Sequence, residues 1–430
     1  MDAIQRGAFP FRPALRVFGA STWAIVRNAP DIRNPVIGSE EFNGGRMLRR
    51  SVWTMAVILA SCAVVSTAQC ENVDVVKIGI AEPLTGFSAS YGKDEENAAR
   101  LAFEEANQQG LVIGGRKVRF DVDAQDDAGD PKTAVVVAQR FVDEGVSGVI
   151  GHHNSGCSVA ASALYASAGI PQISPTSSSP TYTAQGFKTT FRTTSGDRQM
   201  SALSARYSTH QLHARRIAVI DDGTDYGSNF VSQYVAAVEK DGSEVVSRQY
   251  TTPQSVDFRA ILTVIKGVNP DLIFFAGQDV QAAGLARQMR QLGIKIRFMG
   301  EGGFTNESFL KLAGEGAQGM YSWEYGLPLE RMPRAAELDG KLKARFGSGI
   351  VHYAPLAYDA SWAMINAMQQ AGSTDPRQYL HALRTGSFDG VSGRIAFAAN
   401  GDLRNATATV YQARDGKWVL LGVESSAGNE

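Results

Sequence analysis

Two stretches of this chain place hydroxyls and unpaired backbone N–H groups directly after short apolar runs. Gly151-His152-His153-Asn154-Ser155-Gly156 follows the run 146–150, and Ser174-Pro175-Thr176-Ser177-Ser178-Ser179-Pro180 follows the run 169–173. If both runs are buried parallel strands, each loop sits at a carboxyl strand end, where open α/β sheets bind ligands. Ser155 opens a small-residue helical run, 155–167, so it is predicted as an N-cap at the positive end of a helix dipole. One such loop alone reads as capping and turn chemistry. Two in consecutive units suit a small anion, above all a carboxylate.

The elements needed to hold these loops are legible as alternation. Strand-like segments at 75–80, 117–122, 146–150 and 171–173 alternate with helical ones at 97–107, 133–143 and 155–167. Repeated βα of this kind implies a parallel sheet with right-handed crossovers. A second series follows, with strands at 216–221, 244–250, 271–275 and 296–299 and helices at 228–238, 258–265 and 281–291. Its strand-end loops also carry polar residues: Asp221 to Gly227, Ala276-Gly277-Gln278-Asp279, and Gly300-Glu301-Gly302-Gly303. A long amphipathic helix at 354–370, a shorter one near 378–383 and two or three strands within 391–423 complete the pattern.

The chain has 430 residues and a net charge of −1, enough for two domains and without the basic excess of a nucleic-acid binder. Residues 1–50 hold eight Arg and four acids, 51–70 hold no charge, and the remainder is mildly acidic. Arg49-Arg50 followed by the apolar run 52–65 and small residues has the layout of a secretory leader. The run is shorter than the ~20 residues that span a bilayer. Met47 stands where an initiator belongs, so 1–46 reads as an upstream extension and 47–70 as the signal peptide. Leu59-Ala60-Ser61-Cys62 offers a lipid-anchored start at Cys62, and Ser66-Thr67-Ala68 an ordinary cleavage site. Cys62, Cys70 and Cys157 show no metal spacing. The adjacent His152 and His153, and His210 and His213 on one helix, lack carboxylate company in sequence and read as surface or capping residues.

Taken in order, several motifs resemble the substrate-binding proteins of bacterial branched-chain amino-acid ABC transporters. They are Ile78-Gly79-Ile80 into Pro83-Leu84-Thr85-Gly86, Asp126-Asp127-Ala128-Gly129-Asp130-Pro131, Ile150-Gly151-His152, Ile173-Ser174-Pro175, Tyr226-Gly227, Phe298-Met299-Gly300 and Tyr353-Ala354. The resemblance implies an α/β type I periplasmic binding fold, two Rossmann-like lobes with parallel sheets joined by three crossovers. Residues 71–195 plus 326–388 would form the first lobe and 196–325 plus 389–430 the second. By position, Ser155 and the Ser177-Ser178 pair match residues holding a ligand's α-carboxylate and amino group. Tyr226 and Tyr91 match aromatics over the cleft and at its rim, His153 and Asn154 the side-chain subsite, and Gln278 a tyrosine position. The family's acid after Met-Gly falls on Gly302, so the ammonium anchor is missing or shifted onto Glu301. A ligand without a cation is expected in the first case and an amino acid in the second. The family's disulfide positions hold Gly129 and Asn154.

The expected function is capture of a small-molecule ligand in the periplasm and delivery to an ABC permease in the inner membrane, by a monomer without cofactor or metal. A sensor for amides or for aromatic or aliphatic carboxylates is the alternative. Catalysis is not expected, because Gly-x-Ser-x-Gly, P-loop and His-Glu-x-x-His motifs are absent. A dinucleotide fingerprint is absent too, since 82–86 contains a proline and one glycine. A repressor with a similar core would need a DNA-binding segment where the leader stands.

Overall fold

The computed structural model describes residues 73–425. The extension 1–46, the leader 47–70 and the Cys62 anchor lie outside the described residues. The first sheet contains β1 (Asp74–Glu82), β2 (Val112–Ile113), β3 (Arg116–Asp126), β4 (Val149–Gly151), β5 (Gln172–Ser174) and β6 (Thr190–Arg192). Its order is β2-β3-β1-β4-β5-β6, parallel throughout except for β2. The second sheet contains β7 (Arg216–Asp221), β8 (Glu244–Tyr250), β9 (Leu272–Ala276), β10 (Arg297–Glu301) and β11 (Tyr321–Tyr325). It is completed by β14 (Thr407–Arg414) and β15 (Lys417–Ser425), in the order β15-β14-β11-β10-β9-β7-β8. The two last strands of the chain are its antiparallel members.

Each sheet has one switch point, where the chain leaves a strand toward one side and returns on the other. These lie between β1 and β4 and between β7 and β9. Strand-end loops there part to opposite faces and leave a crevice. The chain passes between the sheets three times: after β6, after β11 and before β14. Ser195 Oγ donates to Thr407 O (2.8 Å) where two of these passages lie side by side.

Packing follows from the sequence pattern. β1 is buried from Ile78 to Glu82, as expected of a central parallel strand covered on both faces. Helices α1 (Ala89–Gln109), α2 (Pro131–Glu144) and α3 (Ser155–Ala168) follow β1, β3 and β4. Asp130 caps α2 by accepting from Thr133 N, and Gly145 ends it in a left-handed conformation. Phe141 of α2 lies against β1 at Gly79, where a Cβ would stand 2.6 Å from the ring. Burying such a ring contributes about 1.5–3 kcal/mol. In the second lobe α4 (Asp225–Lys240) and α5 (Asp279–Gln291) follow β7 and β9. Late in the chain α6 (Ala335–Phe346) and α7 (Ala354–Ala371) return to pack on α1.

Several expectations change. α1 begins at Ala89, eight residues before the expected start at 97, because Asp94 and Glu95 in its polar first half are buried. β11, α6 and the helix Glu307–Ala313 lie where no periodicity was read. His210 sits in the wide turn Tyr207–Gln211, and His213 lies beyond it with φ 52°, so the two do not share a helix. The hairpin of β12 (Ser387–Asp389) and β13 (Arg394–Ala396) sends Ile395 and Phe397 into the first-lobe core, although 389–430 was expected in the second. Asp359 of α7 fixes this hairpin, its buried carboxylate accepting from Val391 N (2.6 Å) and Ser392 N (2.7 Å).

The loop after β5 owes its shape to one buried cation. Arg192 of β6 is 1% exposed. It donates to Ser177 O (2.7 Å), Ser179 O (3.0 Å) and Thr183 Oγ1 (2.6 Å) and pairs with Asp402 (2.8 Å). Arg192→Met leaves these buried acceptors unpaired, each at about 1–3 kcal/mol. We expect urea denaturation to show a loss of about 2–4 kcal/mol on this basis.

Candidate functional site

The two switch points face one cavity of about 420 Å³. Its first-lobe wall includes Phe87, Tyr91, His153, Asn154, Ser155, Thr176 and Ser178. Its second-lobe wall includes Thr224, Asp225, Tyr226, Gln278, Gly302 and Tyr325. Of the residues expected to bind ligand, Tyr91, His153, Asn154, Ser155, Ser178, Tyr226 and Gln278 line this cavity, and Ser177 and Glu301 do not.

The hydroxyl wall is built by β4 and β5, which pair in parallel and bring their loops side by side. Asn154, not Ser155, is the N-cap of α3, and its side chain makes no capping bond. Ser155 is the first helical residue, and its Oγ accepts from Ser179 N (3.3 Å). Cys157 N already donates to Asn154 O (3.0 Å), so the N–H groups left for an anion at this cavity wall are those of Ser155 and Gly156. The Tyr325 hydroxyl lies between Ser178 Oγ (3.1 Å) and Asp197 Oδ1 (3.0 Å), with its one proton shared between them. Burial pushes the Asp197 carboxyl up to about 7. Ser177 turns inward instead: its Oγ lies within hydrogen-bond reach of His152 O (3.1 Å), His153 O (3.2 Å) and Ser158 Oγ (2.6 Å), with its one proton shared among them. Its role is to tie the two loops together.

Tyr226 covers the other wall. Its hydroxyl donates to Glu301 O (3.0 Å) and also meets the Glu301 carboxylate. Glu301 ends β10 and is fully buried behind this ring, so it faces neither solvent nor the cavity surface. Burial and the nearby Asp197 carboxyl hold Glu301 well above the usual carboxylate range, and its Oε1 has no hydrogen-bond partner. Gly302 adopts φ 132°, and a Cβ there would stand 2.1 Å from Gly277 O. No side chain fits that backbone. Gly129 lies beside Asn154, a Cβ on it standing 3.0 Å from Asn154 Oδ1, so the two former cysteine positions are neighbours in space.

Both loop histidines have the carboxylate company that sequence spacing hides. His152 Nδ1 meets Asp127 Oδ2 at 2.6 Å, and His153 Nδ1 meets Glu95 Oε1 at 2.5 Å. The surface reading is thereby corrected, since the partners come from the loop directly after β3 and from α1. Glu82, Glu95 and His153 bring donor atoms within 4.8 Å of one another, a grouping that sequence spacing did not suggest. Across the lobes, Tyr91 donates to Gly303 O (3.0 Å), and His352 meets Glu324 at 2.9 Å.

Sequence reasoning passed over further cavity residues, among them Thr176, Asp225, Gln254 and Tyr325. Thr176 and Asp225 lie inside loops already singled out. Asp225 carries a buried Oδ2 with no partner. Tyr325 had no sequence signal, because β11 itself went unread.

A family profile described as periplasmic binding protein matches residues 75–417. The chain is 32% identical over 348 residues to the leucine-, isoleucine-, valine-, threonine- and alanine-binding protein of Pseudomonas aeruginosa, covering 79% of this chain and 90% of that one. The crystal structure of a leucine-binding protein, LivK, from Thermotoga maritima superposes with a TM-score of 0.75 at 26% identity, over 82% of this chain and 99% of that one. The branched-chain amino-acid transporter substrate-binding protein LivJ of Streptococcus pneumoniae, solved with isoleucine, gives 0.72 at 27% identity, over 82% and 99% of the two chains. With two doubly wound lobes closing on one cavity and this match along nearly the whole described length, the chain belongs to the periplasmic binding protein family, among the type I binding proteins of branched-chain amino-acid ABC transporters.

Proposed function

We propose that the protein captures a small carboxylate-bearing solute, an amino acid or a related compound, between its lobes and presents it to an ABC permease. The observation that carries this reading is the hydroxyl-lined first turn of α3 opening on a cavity between the two switch points. The named binding partners of its relatives support the amino-acid class. The protein acts as a monomer, alters no bond in its ligand and binds no nucleic acid. No helix among the described residues is long and apolar enough to cross a membrane, which fits a periplasmic, leader-exported chain.

Ser155, Thr176 and Ser178 receive the carboxylate, and Tyr226 closes over the ligand. With Gly302 unable to carry an acid, a ligand ammonium falls to the unpartnered oxygen of Asp225 at the cavity wall, or to Glu301 once the Tyr226 ring that covers it turns aside. A ligand without a cation is the second reading, favoured by that same glycine.

The hydroxyl wall is tested by calorimetry. Ser155→Ala and Ser178→Ala each lower affinity for the bound carboxylate about tenfold, the ~1.4 kcal/mol of one hydrogen bond to a charged group. Ser177→Ala lowers the melting temperature and leaves affinity within about twofold, because its hydroxyl binds only protein groups in the structure.

The cation question is tested by proton release. Burial holds the Glu301 carboxyl well above the usual carboxylate range, which favours its neutral form in the empty cleft. Pairing with an ammonium ionises it, so binding expels a proton and affinity rises with pH up to the raised Glu301 value. Leucine titrated in two buffers of different ionisation heat should show this release, and Glu301→Gln should abolish it. Leucine binding that survives Glu301→Gln without proton release assigns the anchor to Asp225.

The leader is tested by intact mass. Chain recovered from native membrane and periplasm should begin at Cys62, with a diacylglycerol-sized increment, or directly after Ala68. Recovery of residues 1–46 in exported protein would refute the leader assignment.

A further inference from the structure

No Val, Leu, Ile or Met is among the residues lining the cavity. Its apolar surface comes from Phe87, Ala128, Pro131, Pro253, Cys157 and tyrosine rings, and the other side chains are polar. A branched aliphatic ligand would therefore meet no matching aliphatic wall.

His153 is the imidazole in that lining, 8% exposed. Its ring stacks on Tyr91 at 5.8 Å and lies 5.7 Å from Tyr353. Nδ1 is engaged by Glu95 Oε1 (2.5 Å) and lies 3.2 Å from Thr176 Oγ1. Nε2 has no partner among the described residues. Glu95 is fully buried, and so is Glu82 beside it, neither of whose oxygens has a hydrogen-bond partner.

Charge balance decides where the protons sit. Burial first, then the charges of Glu95 and Asp127, hold the Glu82 carboxyl well above the usual carboxylate range. Burial raises Glu95 as well. An unbalanced carboxylate in this interior is very costly. The Glu95–His153 pair costs least when neutral as a whole, as imidazolium with carboxylate or as imidazole with carboxylic acid. In the first form both ring nitrogens carry hydrogen. In the second the acid donates to Nδ1, which leaves the ring hydrogen on Nε2. Either way a donor stands free at the cavity wall.

We infer that His153 donates Nε2–H to the body of the ligand, so that the protein selects a carboxylate carrying a second acceptor, an amide, carbonyl or carboxylate oxygen, over its aliphatic isostere. This rests on the carboxylate reading of Ser155 and Ser178. The two anchors keep different company, since Ser178 is bonded to Tyr325 and His153 is packed by Tyr91 and Tyr353.

The test is calorimetry on the full chain with two near-isosteric pairs, asparagine against leucine and 4-carbamoylbenzoate against 4-isopropylbenzoate. In at least one pair the polar member should bind about tenfold tighter or more, the discrimination expected when a buried donor is left unpaired by the analogue. His153→Phe should bring that ratio near one, and Ser155→Ala should weaken both members alike. If the Phe variant does not fold, His153→Ala carries the same comparison. Aliphatic members that tie or win, or a ratio that survives the His153 substitution, overturn the inference. If Ser155→Ala still weakens both members, the carboxylate reading stands without it. Binding by none of the four ligands overturns both.

Discussion

A carboxyl group taken out of water must be paired, hydrogen-bonded or neutral. The cleft is assembled around acids that meet this demand in different ways. Asp94 accepts from the backbone of Val351, His352 and Ala354, which fixes the segment leading into α7. Asp127 and Glu95 take the two histidines after β4. Glu324 holds His352 and Thr305 N, joining one lobe to the other. Glu301 is bonded by Tyr226, and Glu82 is pushed toward its neutral form by burial. Each solution ties together segments distant in sequence, and the cavity is the space these ties leave open.

The same demand explains the division of labour among the serines. A hydroxyl near unpaired carbonyl oxygens is drawn into structural bonds, as Ser177 is drawn to the carbonyls of His152 and His153. Ser155 and Ser178 remain at the cavity wall because the loop carbonyls of Ser177 and Ser179 are already satisfied by Arg192. A buried cation that touches no ligand thereby sets which hydroxyls are available to one.

Much of this was legible in the sequence, and the failures have identifiable causes. Buried parallel strands give near-continuous apolar runs, so β1, β4, β7 and β9 and the loops after them could be read directly. Elements whose buried face is polar could not. The first half of α1 looks solvated because it carries Lys93 to Glu96, yet Asp94 and Glu95 are interior. β11 mixes Ser322 and Glu324 with aromatics, both of them buried. The pairing of His153 with Glu95 depends on contact between residues 58 apart, to which local spacing is blind. Glu301 sits next to a cavity residue but points behind Tyr226, a distinction that turns on side-chain direction at a strand end.

Gly302 has a consequence for how this binding site can change over generations. With φ at 132° and the Gly277 carbonyl 2.1 Å from any added Cβ, the position is closed to every side chain while the loop keeps its present path. A glutamate placed there alone therefore yields a misfitted loop, not an ammonium anchor. Gaining one at this position needs two changes, a relaxed 277–302 contact and the acid itself, whereas the polar wall around Asn154, Gln254 and Gln278 is open to single substitutions.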